Sequence, residues 1–190
     1  MIRKLFILTA IIFLMSSAAQ ARSTHNITVG VMGMGNIQLL DVNPEIDPGP
    51  GGGMYFDYRF NQRFSLTLDA WATIHDGTAT SNGDGGIAIL GIPTATIKMY
   101  FLDDESGKWD PYAGLGVGAY AITGSDIGSA NGLGLGAQLE VGCDYLISDG
   151  FSVGLAGVFR SAGIITGLSG ANTATAIIPF SLVGKFGYHF

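Results

Sequence analysis

From residue 26 onward the chain alternates, position by position, between large apolar side chains and small or polar ones. A period of two is the signature of a pleated strand, whose successive side chains leave opposite faces, whereas a helix would repeat every 3.6 residues. Ile27, Val29 and Val31 alternate with Asn26, Thr28 and Gly30; Met54, Phe56, Tyr58 and Phe60 with Tyr55, Asp57 and Arg59. Phe64, Leu66 and Leu68 oppose Ser65, Thr67, Asp69 and Trp71, and over 87–101 Ala95, Ile97 and Met99 oppose Thr94, Thr96 and Lys98. Segments over 112–119, 133–145, 151–160 and 175–190 repeat the pattern, which predicts eight strands. Their connections alternate too. Residues 61–63, 102–109 and 146–150 are short or moderate, while 37–52, 75–86, 122–131 and 161–173 are longer and rich in Gly, Ser, Asn and Asp. Short turns on one side and long loops on the other is the layout of an up-and-down barrel in an outer membrane.

The one long, continuously apolar run comes before this pattern. Arg3 and Lys4 precede an apolar stretch from Leu5 to Met15, then small residues ending Ala19-Gln20-Ala21. That core is shorter than the ~20 residues of a membrane-spanning helix, so residues 1–21 read as a cleavable signal peptide rather than an anchor. Residues 22–190 then form one domain. Without Arg3 and Lys4, seven basic residues face 15 acidic ones, a net charge of −8. Such a chain lacks the basic footprint of a nucleic-acid binder. The lone Cys143 excludes an internal disulfide. Disorder is excluded by 47% hydrophobic against 13% charged residues.

Alternation alone leaves open which face is buried, because a soluble barrel or sandwich would turn its aliphatic face inward. Three features favour the opposite arrangement. The first is secretion. Second, the apolar-face aromatics Phe60, Phe64, Phe101, Tyr145, Phe151, Tyr188 and Phe190 all fall at the short-turn end, as an interfacial girdle does. Third, the other face carries small residues and balanced charge: Asp57, Asp69, Glu140 and Asp144 against Arg59, Lys98, Arg160 and Lys185. Small and paired groups suit the interior of a narrow barrel, where an unpaired ion is costly. The fold expected is an all-β, eight-stranded antiparallel transmembrane barrel, with its apolar face toward lipid.

The segment Ile92-Pro93-Thr94-Ala95-Thr96-Ile97-Lys98-Met99-Tyr100-Phe101, with Asp110-Pro111-Tyr112-Ala113-Gly114-Leu115-Gly116-Val117-Gly118 after a turn, resembles the OmpW family of small outer-membrane barrels. Gly142-Cys143-Asp144-Tyr145-Leu146-Ile147 resembles it as well. The ending Gly187-Tyr188-His189-Phe190 is similar to the C-terminal aromatic signal of outer-membrane barrels. The resemblance implies an eight-stranded barrel linked to passage of small hydrophobic compounds. It also implies an encounter with the barrel-assembly machinery through Phe190.

The lumen-facing residues bear on that expectation independently. Toward the long-loop end they are Met32, Met34, Tyr55, Trp71, Leu90, Ile92, Tyr120 and Val158; below them come Asp57, Arg59, Asp69, Lys98, Glu140 and Lys185. An apolar mouth above a charged plug would admit hydrophobic molecules from the top and release them sideways. The plainer alternative is that these side chains fill the barrel, since eight strands leave room for side chains or one small ligand. Gly91 and Pro93, flanking Ile92, are residues that accompany bulges.

Other constellations carry less. Gly114-Leu115-Gly116-Val117-Gly118 continues the strand alternation and has no strand-to-helix context for a phosphate loop. His25, His75 and His189 fall near different strand ends, and His75 reads as a solvated loop residue, so no metal is expected. No cofactor is expected. No His-x-Ser pair suggests a lipid-modifying enzyme, so the expected protein is non-enzymatic. Asp41, Glu45, Asp47, Asp76, Asp84 and Asp126 read as solvated loop charge, with bridging of lipopolysaccharide phosphates through divalent cations as the alternative. The expectation is a monomer in the bacterial outer membrane, surrounded by lipid and lipopolysaccharide, passing a small hydrophobic ligand. The competing expectation is a surface-interaction barrel acting through its external loops.

Overall fold

The computed structural model of the protein describes residues 26–39, 46–76, 86–101, 108–124, 132–166 and 173–190. The expected signal peptide lies outside the described residues. So do His25, Asp41, Glu45, Asp84, Asp126 and the acidic turn at 103–105. The elements are β1 (Ile27–Gln38), β2 (Gly49–Arg59), β3 (Phe64–Asp76), β4 (Gly86–Tyr100), β5 (Trp109–Gly124), β6 (Gly132–Ser148), β7 (Phe151–Thr166), β8 (Thr173–Ile177) and β9 (Pro179–His189). Each of β1 to β7 pairs antiparallel with the next. β8 and β9 form one stave interrupted at Ile178. β8 pairs with β7, and β9 pairs with both β7 and β1. The sheet therefore closes into the expected eight-stranded barrel, which satisfies the backbone of every stave without leaving an edge in the bilayer.

The alternation fixes which way each face points. Leu115 and Leu135 on the outer wall are 70% and 76% exposed, an untenable apolar surface in water but the required one in lipid. Their inward neighbours on the same strands, Gly114, Gly116, Gly134 and Gly136, are buried or half-buried. Where a large ring turns inward, the opposing strand must yield space. Tyr55 lies across Gly30, where a Cβ would sit 2.4 Å from its ring.

The strands run further than the alternation of large apolar residues suggests. β2 begins at Gly49 within the expected loop 37–52, β5 continues to Gly124 and β7 to Thr166. Glycine and proline read locally as breakers, but ladder partners on both sides, such as Asn36 for Gly49 and Thr73 for Gly51, hold the backbone extended. At the opposite end the turns are tight. Asn61 Oδ1 accepts the backbone N–H of Arg63 and of Phe64, both at 2.9 Å.

The seven girdle rings lie on the outer wall at this short-turn end. Tyr58 and Phe60 meet edge to face at 5.2 Å, as Tyr188 does with Phe151 and Phe190 at 4.9 and 4.7 Å. Trp109, read from the sequence as a turn residue, starts β5 and packs on Tyr145 at 4.7 Å, extending the girdle.

Candidate functional site in the barrel lumen

The lumen is layered. Its inner layer, toward the short turns, is ionic. Asp57 on β2 accepts hydrogen bonds from Ser65 (2.9 Å) and Thr67 on β3 and from Lys98 Nζ on β4 at 3.5 Å. Glu140 on β6 pairs with Lys185 on β9 and accepts the Tyr112 hydroxyl at 2.7 Å, while Lys185 Nζ also donates to that hydroxyl at 3.0 Å. Arg59 pairs with Asp110 at 2.8 Å and lies 3.8 Å over the Tyr100 ring. Five of the six expected plug residues, Asp57, Arg59, Lys98, Glu140 and Lys185, are therefore brought together, with Asp110 as the carboxylate that the sequence reading left out. A cavity of about 50 Å³ opens beneath them, lined among others by Asp144, Ser152 and His189.

The middle layer is polar and mostly neutral. The sixth expected plug residue, Asp69, sits here and accepts the Thr94 hydroxyl. Gln138 donates to Thr96 and accepts Arg160 Nε at 3.2 Å and the Tyr120 hydroxyl at 3.4 Å. Ser181 receives Arg160 Nη1 at 2.7 Å and the Asn36 amide at 3.2 Å. The Arg160 guanidinium stands 4.3 Å over the Trp71 ring.

The outer layer is apolar. Trp71 and Tyr120 are buried there as expected mouth residues, joined by Ile87, Ile89, Ile122, Ile164 and Ile177. Met32, Met34 and Val158 are buried as well but lie lower than expected: Met32 is in register with Lys185, Val158 with Glu140, and Met34 falls short of Asn36 on β1, because alternation gives a face and not a height. Three further expectations need correction. Tyr55 is buried but belongs to the ionic layer, with Lys98 and Lys185 at 6.0 and 5.8 Å from its ring. Leu90 and Ile92 face the bilayer, Ile92 at 56% exposure. The cause is a bulge in β4. Gly91 pairs with Tyr120 and Thr94 with Gly118, so three steps on β4 match two on β5. One extra residue exchanges the faces above it, and Ile87 and Ile89 take the lumen positions instead. Pro93, which has no N–H for the ladder, lies within this bulge.

His75 is the third correction. It is not a solvated loop residue: β3 continues through it, and the ring is buried, with Nδ1 2.7 Å from the Asp47 carbonyl oxygen and Nε2 2.9 Å from Thr73 Oγ1. His189, at the opposite end, bonds Thr28 at 2.8 Å. Among the described residues, no cluster of three His, Cys, Asp or Glu side chains has the arrangement to hold a metal ion.

This geometry agrees with what the chain resembles. A family model described as the outer membrane protein beta-barrel domain matches residues 6–189. The crystal structure of the outer membrane protein OprG from Pseudomonas aeruginosa superposes with a TM-score of 0.64 at 18% identity, covering 90% of this chain and 99% of that one. The solid-state NMR structure of AlkL in lipid bilayers gives 0.58 at 10% identity, covering 92% and 94%. Neisserial surface protein A gives 0.56 at 14%, covering 86% and 96%. OprG and AlkL are small eight-stranded barrels of the OmpW-like type that the sequence motifs resemble. At these identities the likeness is one of fold. No curated protein sequence matches the chain.

Proposed function

The chain belongs to the outer membrane protein β-barrel domain family and resides in the outer membrane, and we propose that it works there as a passive, non-enzymatic route for small hydrophobic molecules. The observation that carries this reading is the layering of the lumen, with a buried apolar cluster in the outer half and ion pairs across the inner half. An apolar solute is accommodated by Tyr120 and the isoleucines, and is refused by the desolvated charges below. Its exit is sideways. The ladder of the wall is interrupted at the β4 bulge, where Gly91 contributes no side chain and Ile92 and Pro93 fall between the paired positions Gly91 and Thr94. The Trp71 indole closes that gap from within, so close that a Cβ on Gly91 would meet its Nε1 at 2.4 Å. Movement of one ring would connect the outer lumen to the bilayer. Lipopolysaccharide around the outer wall, assembly through the Phe190 end and a monomeric state belong to the same proposal.

Liposomes carrying the purified protein should take up a small apolar solute faster than protein-free liposomes. Ile89→Asp, which sets a charge in the apolar outer lumen while leaving Trp71 in place, should slow that uptake roughly tenfold. Retention of the heat-dependent gel shift of a folded barrel would separate this from misfolding. Equal rates with and without protein would refute the route and favour action through the external loops.

A further inference from the structure

Among the described residues, four basic side chains point into the lumen, and three of them have carboxylate partners: Arg59 with Asp110, Lys98 with Asp57 and Lys185 with Glu140. Arg160 is the exception. It is 3% exposed, and no carboxylate among the described residues lies within ion-pair distance. Asp69, the inward carboxylate of the same middle layer, is engaged with Thr94. Of the five N–H donors of a guanidinium, Arg160 uses one on Gln138 and one on Ser181, both uncharged acceptors. Asp69 and Glu140 act on it only across the lumen, and a buried guanidinium without a carboxylate in contact is an expensive element to retain in a barrel interior.

Unpaired polar atoms gather beside it. Among the described residues, the Trp71 indole N–H and the Asn36 amide oxygen are buried without a hydrogen-bond partner. Trp71 lies under the guanidinium, and Asn36 shares Ser181 with it. Immediately outward stand the apolar side chains of Ile89, Ile122 and Ile164. The floor of the apolar layer is thus a cation with spare donors, and its walls are hydrocarbon.

We infer that the outer lumen selects small amphiphiles with a single carboxylate, their apolar chain among Ile89, Ile122 and Ile164 and their anionic head on Arg160. This inference rests on the uptake reading and narrows its substrate class. The carboxylate supplies a counter-charge in contact through charge-assisted hydrogen bonds, which a neutral alcohol of the same length does not match. A cationic head would meet Arg160 with like charge.

The test uses the full-length barrel in lipid nanodiscs with Trp109→Phe, which leaves Trp71 as the only tryptophan of the two in the chain. Trp109 is on the lipid-facing girdle and outside the site. Quenching of Trp71 by bromo-substituted octanoate, octanol and octylammonium reads occupancy directly. Octanoate should bind at least about tenfold more tightly than octanol, and octylammonium least. Arg160→Gln should abolish the difference while octanol still quenches, and Arg160→Lys should keep part of it. Equal affinity for octanoate and octanol, or a preference that survives Arg160→Gln, would overturn the inference. If Arg160→Gln does not fold, the ranking in the parent protein decides, and the absence of an anion preference there overturns it. Apolar-solute uptake without carboxylate preference would sink only the selectivity. Failure of every probe to quench, with no protein-dependent uptake, would sink both readings.

Discussion

The outer and inner halves of the lumen are lined by the same strands and yet held by different forces. In the outer half, Ile87, Ile89, Ile164 and Ile177 are buried against one another with Ile122 and Trp71. This is the interior of an ordinary soluble protein, stabilised by area withdrawn from water and tolerant in proportion to the volume changed. In the inner half the buried groups are Asp57, Lys98, Glu140, Lys185 and the tyrosines around them. Such a network is stable because each charge has a partner, and it fails when one partner is removed. On the outer wall apolar side chains exchange one hydrocarbon neighbour for another, so the lumen has to hold the staves in register. It does so with a graded material at one end and an all-or-none one at the other.

The largest effect should come from the all-or-none end. Lys185→Met leaves Glu140 buried with only the Tyr112 hydroxyl, and should cost about 3–5 kcal/mol in urea unfolding from lipid vesicles. A loss below about 1 kcal/mol would mean that water reaches Glu140, and the inner half would then be no different from a solvated surface. In the outer half Ile164→Ala removes methyl groups from a fully buried position, and should cost about 2–4 kcal/mol by the same measurement. Here the graded character can be checked. Ile164→Val should recover most of the loss, whereas Lys185→Gln should recover little of its own.

This division was legible in the sequence to unequal degrees. The staves, their order and the lipid-facing side follow from alternation and from the position of the aromatic rings, because a period of two leaves no other regular assignment. The inner plug was legible as well: Asp57, Arg59, Lys98, Glu140 and Lys185 share one face, and balance of charge is a property a sequence displays. The partner of Arg59 was not, because Asp110 is the second residue of β5 and falls between the stretch 102–109 that reads as a turn and the alternation that starts at Tyr112. The outer layer was least legible. The phase above residue 92 depends on one extra residue at Ile92-Pro93, and a bulge changes no composition. It turned Leu90 and Ile92 outward and brought in Ile87 and Ile89, which an unbroken alternation assigns to lipid. Tyr55 was misplaced for another reason: strand periodicity gives a face, whereas height depends on register with β1 and β3, which emerges only when the ladders are paired.

The smallest expected effects compare two inward tyrosines on β5. Tyr112, in the ionic layer, donates to Glu140 at 2.7 Å and accepts from Lys185 at 3.0 Å. Tyr120, at the edge of the apolar layer, reaches only Gln138, at 3.4 Å. Removing the Tyr112 hydroxyl withdraws a hydrogen bond from each member of a buried ion pair, and hydrogen bonds to charged groups are the stronger class. Tyr112→Phe should therefore cost about 1.5–3 kcal/mol. Removing the Tyr120 hydroxyl leaves Gln138 Oε1 still bonded to Arg160 Nε, so Tyr120→Phe should cost under about 0.5 kcal/mol. Both variants keep the ring and its packing, so the difference isolates the hydroxyl. Equal losses would show that the two halves share one kind of stabilisation. A clear loss for Tyr112→Phe beside none for Tyr120→Phe would place the change from ionic to apolar material on β5 between residues 112 and 120, the stretch in which Gly114, Gly116 and Gly118 leave the lumen to side chains from the neighbouring staves.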